Sequence, residues 1–301
     1  MLQLQLIRLY YYVCHCYDTK SCLHYQRMSN NYSPLFTDQE VITMYLFGIL
    51  QKRFTIKDTY AYINHHWLEW FPCLPSYQAY NKRLNDLYWQ FEVIAQQRME
   101  ELSYSDCYPD VSLADSLPII LSKRAYQAER TTGFMPGSAV ALQVADKGYC
   151  STKNLYYHGL KLHFLGADCY QGLPQAQSIG FSQASANDLT VLKPLFKQLK
   201  ACKVVADKIY ASQELNAQLK PQGVEIITPV KLKKGQKYLE AADKLFSRYV
   251  SSVRQPVEAF FHWLNEKTAI QTASKVRSQK GLWVHCFGRL TAALFSLVFN
   301  S

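Results

Sequence analysis

Three acidic residues lie where packing alone would reject a charge. Asp115 follows the apolar alternation of Val111 and Leu113 and precedes Leu117-Pro118-Ile119-Ile120. Asp207 ends the apolar run Val204-Val205-Ala206, and Glu258 flanks Phe260-Phe261 in a late helical pattern. A carboxylate in such a place costs desolvation unless it is paired or binds a cation. Carboxylates are hard oxygen ligands, and Mg²⁺ takes one or two of them together with water and phosphate oxygens. Three acids converging at strand ends can hold two such ions. At a spacing of about 3.5 to 4 Å, two ions serve both the attacking and the leaving oxygen of phosphoryl transfer.

Glu258 belongs to the stretch SVRQPVEAFFHWLNEK, residues 252–267. At 100° per residue, Val257, Phe260, Phe261, Trp263 and Leu264 fill one broad apolar arc, and Ser251, Arg254, Glu258, His262 and Asn265 form a polar stripe beside it. With Ser252 as N-cap, Pro256 falls in the first turn, where its missing N–H has no intrahelical partner. Taken alone, the stretch is explained as well by a half-exposed Glu258 paired with Arg254 one turn back.

The charge balance adds direction. Residues 1–105 carry nine Lys and Arg against nine Asp and Glu, whereas residues 106–301 carry twenty-four against fourteen, which accounts for the whole net charge of +10. A basic second part points to a polyanionic partner, nucleic acid first. Apolar runs are too short to span a membrane, and the first residues lack the features of a secretory leader, so a cytoplasmic protein without a membrane partner is expected. Nine scattered cysteines, an odd number, argue for reduced thiols. Cys14, His15, Cys16, Cys22 and His24 fit none of the usual zinc spacings.

The elements that would carry these residues fall into two textures. Residues 1–34 form a poorly defined N-terminal segment. Residues 35–105 read as helices: Thr37 with Glu40 makes a capping box before the apolar run to Phe54, a second helix ends before Pro72, and a third starts at a Ser76 cap with Lys82 and Arg83 in its early turns. Both a helix-turn-helix DNA-binding module and an ordinary bundle fit this pattern. From residue 106 the pattern is α/β. Strands are expected over 110–121, 156–168 and 173–183, followed by a helix capped at Asn187 or Asp188, a strand to Asp207, a helix from 211 and a strand from 224. Residues 231–248 read as a basic loop, and the tail from Ser274 as a last, basic-then-apolar helix.

The order of the three acids, together with FPCLPSYQAYNKRLN (71–85), DSLPI (115–119), SKRAYQ (122–127), YYHGLKLHFL (156–165), VVADKIYAS (204–212), RQPVEAFFHWLNEKTAIQ (254–271) and SKVRSQKGL (274–282), resembles the DDE transposases of bacterial insertion sequences, in particular the insertion sequence 982 family. The resemblance runs from about residue 35 to the end. It implies a ribonuclease H-like core, a mixed sheet flanked by helices, behind an α-helical N-terminal domain. It also implies that Asp115, Asp207 and Glu258 are the catalytic, metal-binding triad, with two Mg²⁺ ions per site or Mn²⁺ in their place. The activity implied is cleavage at the element ends followed by transfer of the freed 3′ hydroxyl into target DNA. The partners are then double-stranded DNA, as terminal inverted repeats and as target, and further copies of the chain assembled on it.

Related transposases carry Tyr-x2-Arg-x3-Glu-x6-Lys around the last acid. Arg254 and Glu258 match, Ser251 stands in place of Tyr, Asn265 stands in place of Lys, and Lys267 lies on the opposite side of the wheel from Glu258. Arg254 is therefore expected to touch DNA phosphate or to orient the carboxylates. Lys82, Arg83, Lys123, Arg124, Lys275, Arg277 and Lys280 are the other expected DNA contacts. ADKGY at 145–149 repeats the chemistry of ADKIY at 206–210, but Asp207 closes a buried strand before a capped helix, where α/β sites collect, and is preferred to Asp146. Asp188 reads as a cap, and His158, His163 and His262 as packed rather than catalytic side chains. Two further readings stay open, a metal-dependent nuclease of the same fold without strand transfer and a DNA-binding protein whose acids are structural.

Overall fold

A computed structural model describes residues 2–23, 34–102, 106–123, 144–150, 154–170, 172–232 and 235–299. These divide into two compact units. One is helical and takes in the described residues up to Glu101 together with those from Leu264 onward; the other holds the sheet and takes in the described residues of Leu102–Arg130 and Val144–Trp263.

The helical unit contains α1 (Leu2–Thr19), α2 (Asp38–Leu50), α3 (Ile56–His66), α4 (Tyr77–Asp86), α5 (Tyr88–Glu101), α9 (Gln279–Trp283) and α10 (Arg289–Phe299). The Thr37 capping box is formed: the Glu40 backbone N–H donates to the Thr37 hydroxyl, and the Glu40 carboxylate accepts from the Thr37 N–H at 2.6 Å. Nine successive residues of α2, Val41 to Ile49, are buried, so this helix is the unit's centre. Leu6, Leu9 and Val13 of α1, Phe91 and Ile94 of α5, and Ala292 and Phe295 of α10 pack into the same core.

Three expectations change in this unit. Within the N-terminal segment, Leu2–Thr19 form a helix because Leu6, Leu9, Val13, Cys16 and Tyr17 recur at helical spacing and are buried. The third expected helix is two, with Leu87 between α4 and α5 buried in the core and its N–H bonded back to the carbonyls of Arg83 and Leu84. The last helix is likewise interrupted, by a π-helical turn at Val284–Gly288. A side chain at Gly288 would press on the Tyr45 ring, so glycine lets the two helices approach there.

The second unit contains β1 (Cys107–Ser122), β2 (Asp146–Cys150), β3 (Leu155–Cys169), β4 (Gln175–Gln183), α6 (Asp188–Phe196), β5 (Lys203–Ala206), α7 (Gln213–Leu219), β6 (Glu225–Ile227) and the first 23 residues of α8 (Ala241–Thr268). The strand order is β2-β3-β1-β5-β6, with β4 also on β3. β1 to β4 pair antiparallel, and β5 and β6 are parallel to β1. Short parallel strands joined through helices place α6 and α7 on one face, where Leu192, Phe196, Leu215 and Leu219 pack on Ala114, Leu165, Val204, Ala206 and Ile226. On β3, Gly159 lies so close to the Ile119 carbonyl that a side chain there would collide with it.

Helix α8 differs most from expectation. It begins at Ala241, not at a Ser252 cap, so part of the expected basic loop is helical and Pro256 is interior. The proline therefore removes the bond that would have gone to the Ser252 carbonyl. The Ser252 hydroxyl instead donates to the Tyr249 carbonyl at 2.7 Å. Burial of Val250, Val257, Phe260 and Phe261 sustains the helix across that gap. The expectation of reduced thiols is corrected at one pair: Cys107 and Cys169 form a disulfide, because the β1/β3 register sets them directly opposite each other.

Candidate active site

Strand alternation decides where the first two acids point. Successive side chains of a strand face opposite sides, and directly paired residues of neighbouring strands face the same side. Ala114 packs toward α6 and α7, so Asp115 faces the other way, as does its partner Phe164 on β3. The Phe164 ring meets that of Phe260 at 4.6 Å, so this is the face covered by α8. Ala114 pairs with Ala206 in the parallel register, which sets Asp207 beside Asp115 on the same face. Asp207 is still extended, at φ −70° and ψ 162°, and its carboxylate accepts from the Lys208 N–H at 2.7 Å, fixing it at the strand end.

Helix α8 supplies the rest. Its aromatic side is buried against the sheet, and the polar stripe beside it carries Arg254 and Glu258 one turn apart. Arg254 is the hub. Its Nη2 lies 2.7 Å from the Asp115 carboxylate and 3.8 Å from Glu258, and its Nη1 lies 3.7 Å from Asp207. The side-chain exposures grade outward, 10% for Arg254, 19% for Asp115, 40% for Asp207 and 62% for Glu258. Burial pushes the Asp115 carboxyl up to about 6, against the opposing pull of Arg254 and of the Ser116 N–H, while Asp207 adds to the rise. The i,i+4 pairing of Arg254 with Glu258 and the gathering of the three acids are thus features of one arrangement.

All three acids offer only oxygen donors, the chemistry a hard divalent cation takes. In this arrangement the donors converge on a guanidinium, and among the described residues no group of three His, Cys, Asp or Glu side chains is set to hold a metal ion. The donor chemistry fits the ion, and Arg254 occupies the shared ground between the donors.

On the opposite face of the sheet lies a second polar cluster that the sequence reading missed. Asn187, not Asp188, caps α6. Asp188 is buried, accepts from Lys161 Nζ at 2.8 Å and takes the Ser116 hydroxyl at 3.1 Å. Lys161 shares that face with Ser116 by the β1/β3 register; a lysine inside an otherwise apolar strand was the available signal. His163 is buried beside it, shares a hydrogen bond with the Ser182 hydroxyl at 2.7 Å, and is held down to about 4 by burial. Asp146 pairs opposite Gly159 on β2 and takes the Ser185 hydroxyl at 2.6 Å.

The expected DNA contacts are dispersed. Lys123 is exposed just past β1, and Arg124 lies outside the described residues. Lys82, Arg83, Lys275, Arg277 and Lys280 all belong to the helical unit. Lys82 is exposed on α4, Arg83 pairs with Asp38, and Lys280 pairs with Asp86 at 2.6 Å.

An antiparallel β1, β3, β4 set continued by parallel β5 and β6, flanked by helices and carrying one acid within β1 and another just past the end of the adjacent β5, defines a ribonuclease H-like α/β domain. The family model described as transposase DDE domain matches residues 127–295, more than half of the chain, and the chain belongs to that family. The matched span contains Asp207, Arg254 and Glu258 and begins after Asp115, whose place in the site comes from the β1/β5 register. No curated protein and no solved structure matches the chain. No helix among the described residues is long and apolar enough to cross a membrane.

Proposed function

We propose that this transposase, of the insertion sequence 982 type by the stretches quoted above, cuts DNA at the ends of its element and joins the freed 3′ hydroxyl to target DNA. The observation that carries the reading is the convergence of Asp115, Asp207 and Glu258 about Arg254 in a chain of the DDE family. Asp115 and Asp207 would hold divalent ions, with Glu258 completing the set; bound there, Mg²⁺ or Mn²⁺ would activate the attacking oxygen and stabilise the leaving one. Water attacks a phosphodiester at the element end and a 3′ hydroxyl leaves. That hydroxyl then attacks a phosphodiester of the target, displacing one of its strands' 3′ oxygens.

The chain's own contribution is positional. Phe260 and Phe261 clamp α8 to the sheet, so the Glu258 carboxylate is carried to the strand ends. Arg254 neutralises and aligns carboxylates that would otherwise repel one another, and on DNA binding its guanidinium can pass to a phosphate. The helical unit and the basic residues named above bind inverted repeats and target, as an oligomer on DNA in the cytoplasm. The test is incubation of the protein and Mg²⁺ with a labelled 3′-OH element end and a supercoiled plasmid. Labelled, joined plasmid supports the reading; nicking without joining indicates a nuclease of the same fold, and binding without either indicates a structural role for the acids.

A further inference from the structure

Within the helical unit, α8 ends at Thr268, Ala269 takes the left-handed conformation at φ 53°, and residues 270–278 then run to α9. Beneath them lies a cavity of about 680 Å³, bounded on the other side by the start of α3 and by α4. That volume is in the range of small-molecule sites, about 300 to 1,000 Å³. Lys57, Lys275, Arg277 and Arg289 line it, and among its described lining residues none is acidic.

The wall is that of a built anion site. Arg289 is only 5% exposed, and its guanidinium donates to the backbone carbonyls of Thr268 and Phe54, with the latter bond 2.6 Å; its Nε is left without a partner. No carboxylate stands among the groups that set its proton affinity, which burial lowers. A buried cation partnered by carbonyl dipoles and the neutral Tyr45 hydroxyl, with no carboxylate, favours an incoming anion, because desolvated charge gains most from a charged partner. The cations at the mouth, Lys57, Lys275 and Arg277, are exposed, whereas Phe54, Ile56 and Tyr77 give the wall half-buried flat apolar surface. Asn81, Asn85, Ser274 and Ser278 add hydrogen-bonding groups. Phosphate-binding cations interleaved with ring faces are what an unpaired stretch of nucleic acid requires, and a duplex, whose bases are stacked away, cannot use the rings.

We infer that this cavity binds a single-stranded segment of DNA, its phosphates on Lys57, Lys275 and Arg277 and a base against Tyr77 and Phe54. The inference deepens the proposed DNA-processing role but is separate from the acidic site, which lies in the other unit.

The test uses the full chain without divalent ions and a short fluorescent single-stranded oligodeoxynucleotide, with a duplex of the same sequence and inorganic pyrophosphate as comparisons. Lys57→Ala/Lys275→Ala/Arg277→Ala should weaken single-strand binding at least tenfold. It should also flatten the salt dependence by about 2 in the log–log slope, from about 0.7 per phosphate contact. Tyr77→Ala should weaken single-strand binding several-fold while leaving duplex binding unchanged, which a purely electrostatic patch would not do. Mg²⁺-dependent nicking of an element-end duplex by the wild type, measured separately, reports on the acidic site alone, so that failure of that site and failure of the cavity are told apart. Unchanged single-strand affinity in the triple variant, with the thermal transition intact, overturns the proposal. So does equal loss of single-strand and duplex binding in Tyr77→Ala, or displacement of the oligonucleotide by pyrophosphate at equal phosphate concentration, which would mark a site for free anion only.

Discussion

Arg254→Ala removes the cation that, among the described residues, the three acids share. Asp115 loses its 2.7 Å partner in a site where its side chain is 19% exposed, and Asp207 and Glu258 lose contacts at 3.7 and 3.8 Å. The two outer contacts are long and involve solvated carboxylates, so each contributes little, as exposed pairs do. The inner one is different, because a buried partner left unpaired costs about 3 to 5 kcal/mol, and partial exposure of Asp115 puts the expectation at the lower end, about 3 kcal/mol. Urea unfolding with the double-mutant cycle Arg254→Ala, Asp115→Asn and both together measures this directly, with an expected coupling of about 2 kcal/mol. Mg²⁺ should then stabilise Arg254→Ala more than the wild type, by up to about 2.7 kcal/mol at a hundredfold excess over its Kd, since the cation no longer competes with a guanidinium. A cost below about 1 kcal/mol with no coupling to Asp115 would refute the view of Arg254 as the hub of the site.

Other outcomes follow from the same structure. Asp115 is raised from 3.8 to about 6, so without divalent ions its contribution to stability is full below its ordinary range and lost as pH rises through about 6. A shift of that size is on the order of 3 kcal/mol, read as the difference between wild type and Asp115→Asn in urea titrations from pH 4 to 7. Lys161→Met leaves Asp188 buried without its cation and should cost about 3 kcal/mol, whereas Lys161→Met with Asp188→Leu should recover most of it. Gly159→Ala should cost at least about 2 kcal/mol by prying β1 from β3, seen as a lowered thermal midpoint, because the added methyl meets the Ile119 backbone rather than a side chain that can swing away.

Much of the site was legible because its causes are local. The period-2 pattern of β1 and β3, the buried run before Asp207 and the 100° wheel of α8 each place an acid on a face without knowledge of the rest. The Thr37 and Ser76 caps were readable for the same reason. What escaped depends on distant partners. Leu6, Leu9 and Val13 form a helical stripe too sparse to name a helix until the core they enter is known. Helix α8 reaches back to Ala241 although residues 231–248 read as a basic loop, since its interior proline is tolerated through the burial of Val250 and Val257. The Cys107–Cys169 bond spans 62 residues and exists by strand register alone. Asp188 looked like a cap because Asn187 beside it is one, and its partner Lys161 lies on another strand.

The central claim is that Asp115, Asp207 and Glu258 act together in phosphodiester chemistry, and the most direct measurement is Mg²⁺-dependent nicking of an element-end duplex by Asp115→Asn, Asp207→Asn and Glu258→Gln. Each should bind the duplex with wild-type affinity and lose nicking by at least about 100-fold, the scale on which single catalytic groups act. Wild-type nicking by any one of the three, at unchanged DNA affinity, would contradict the account.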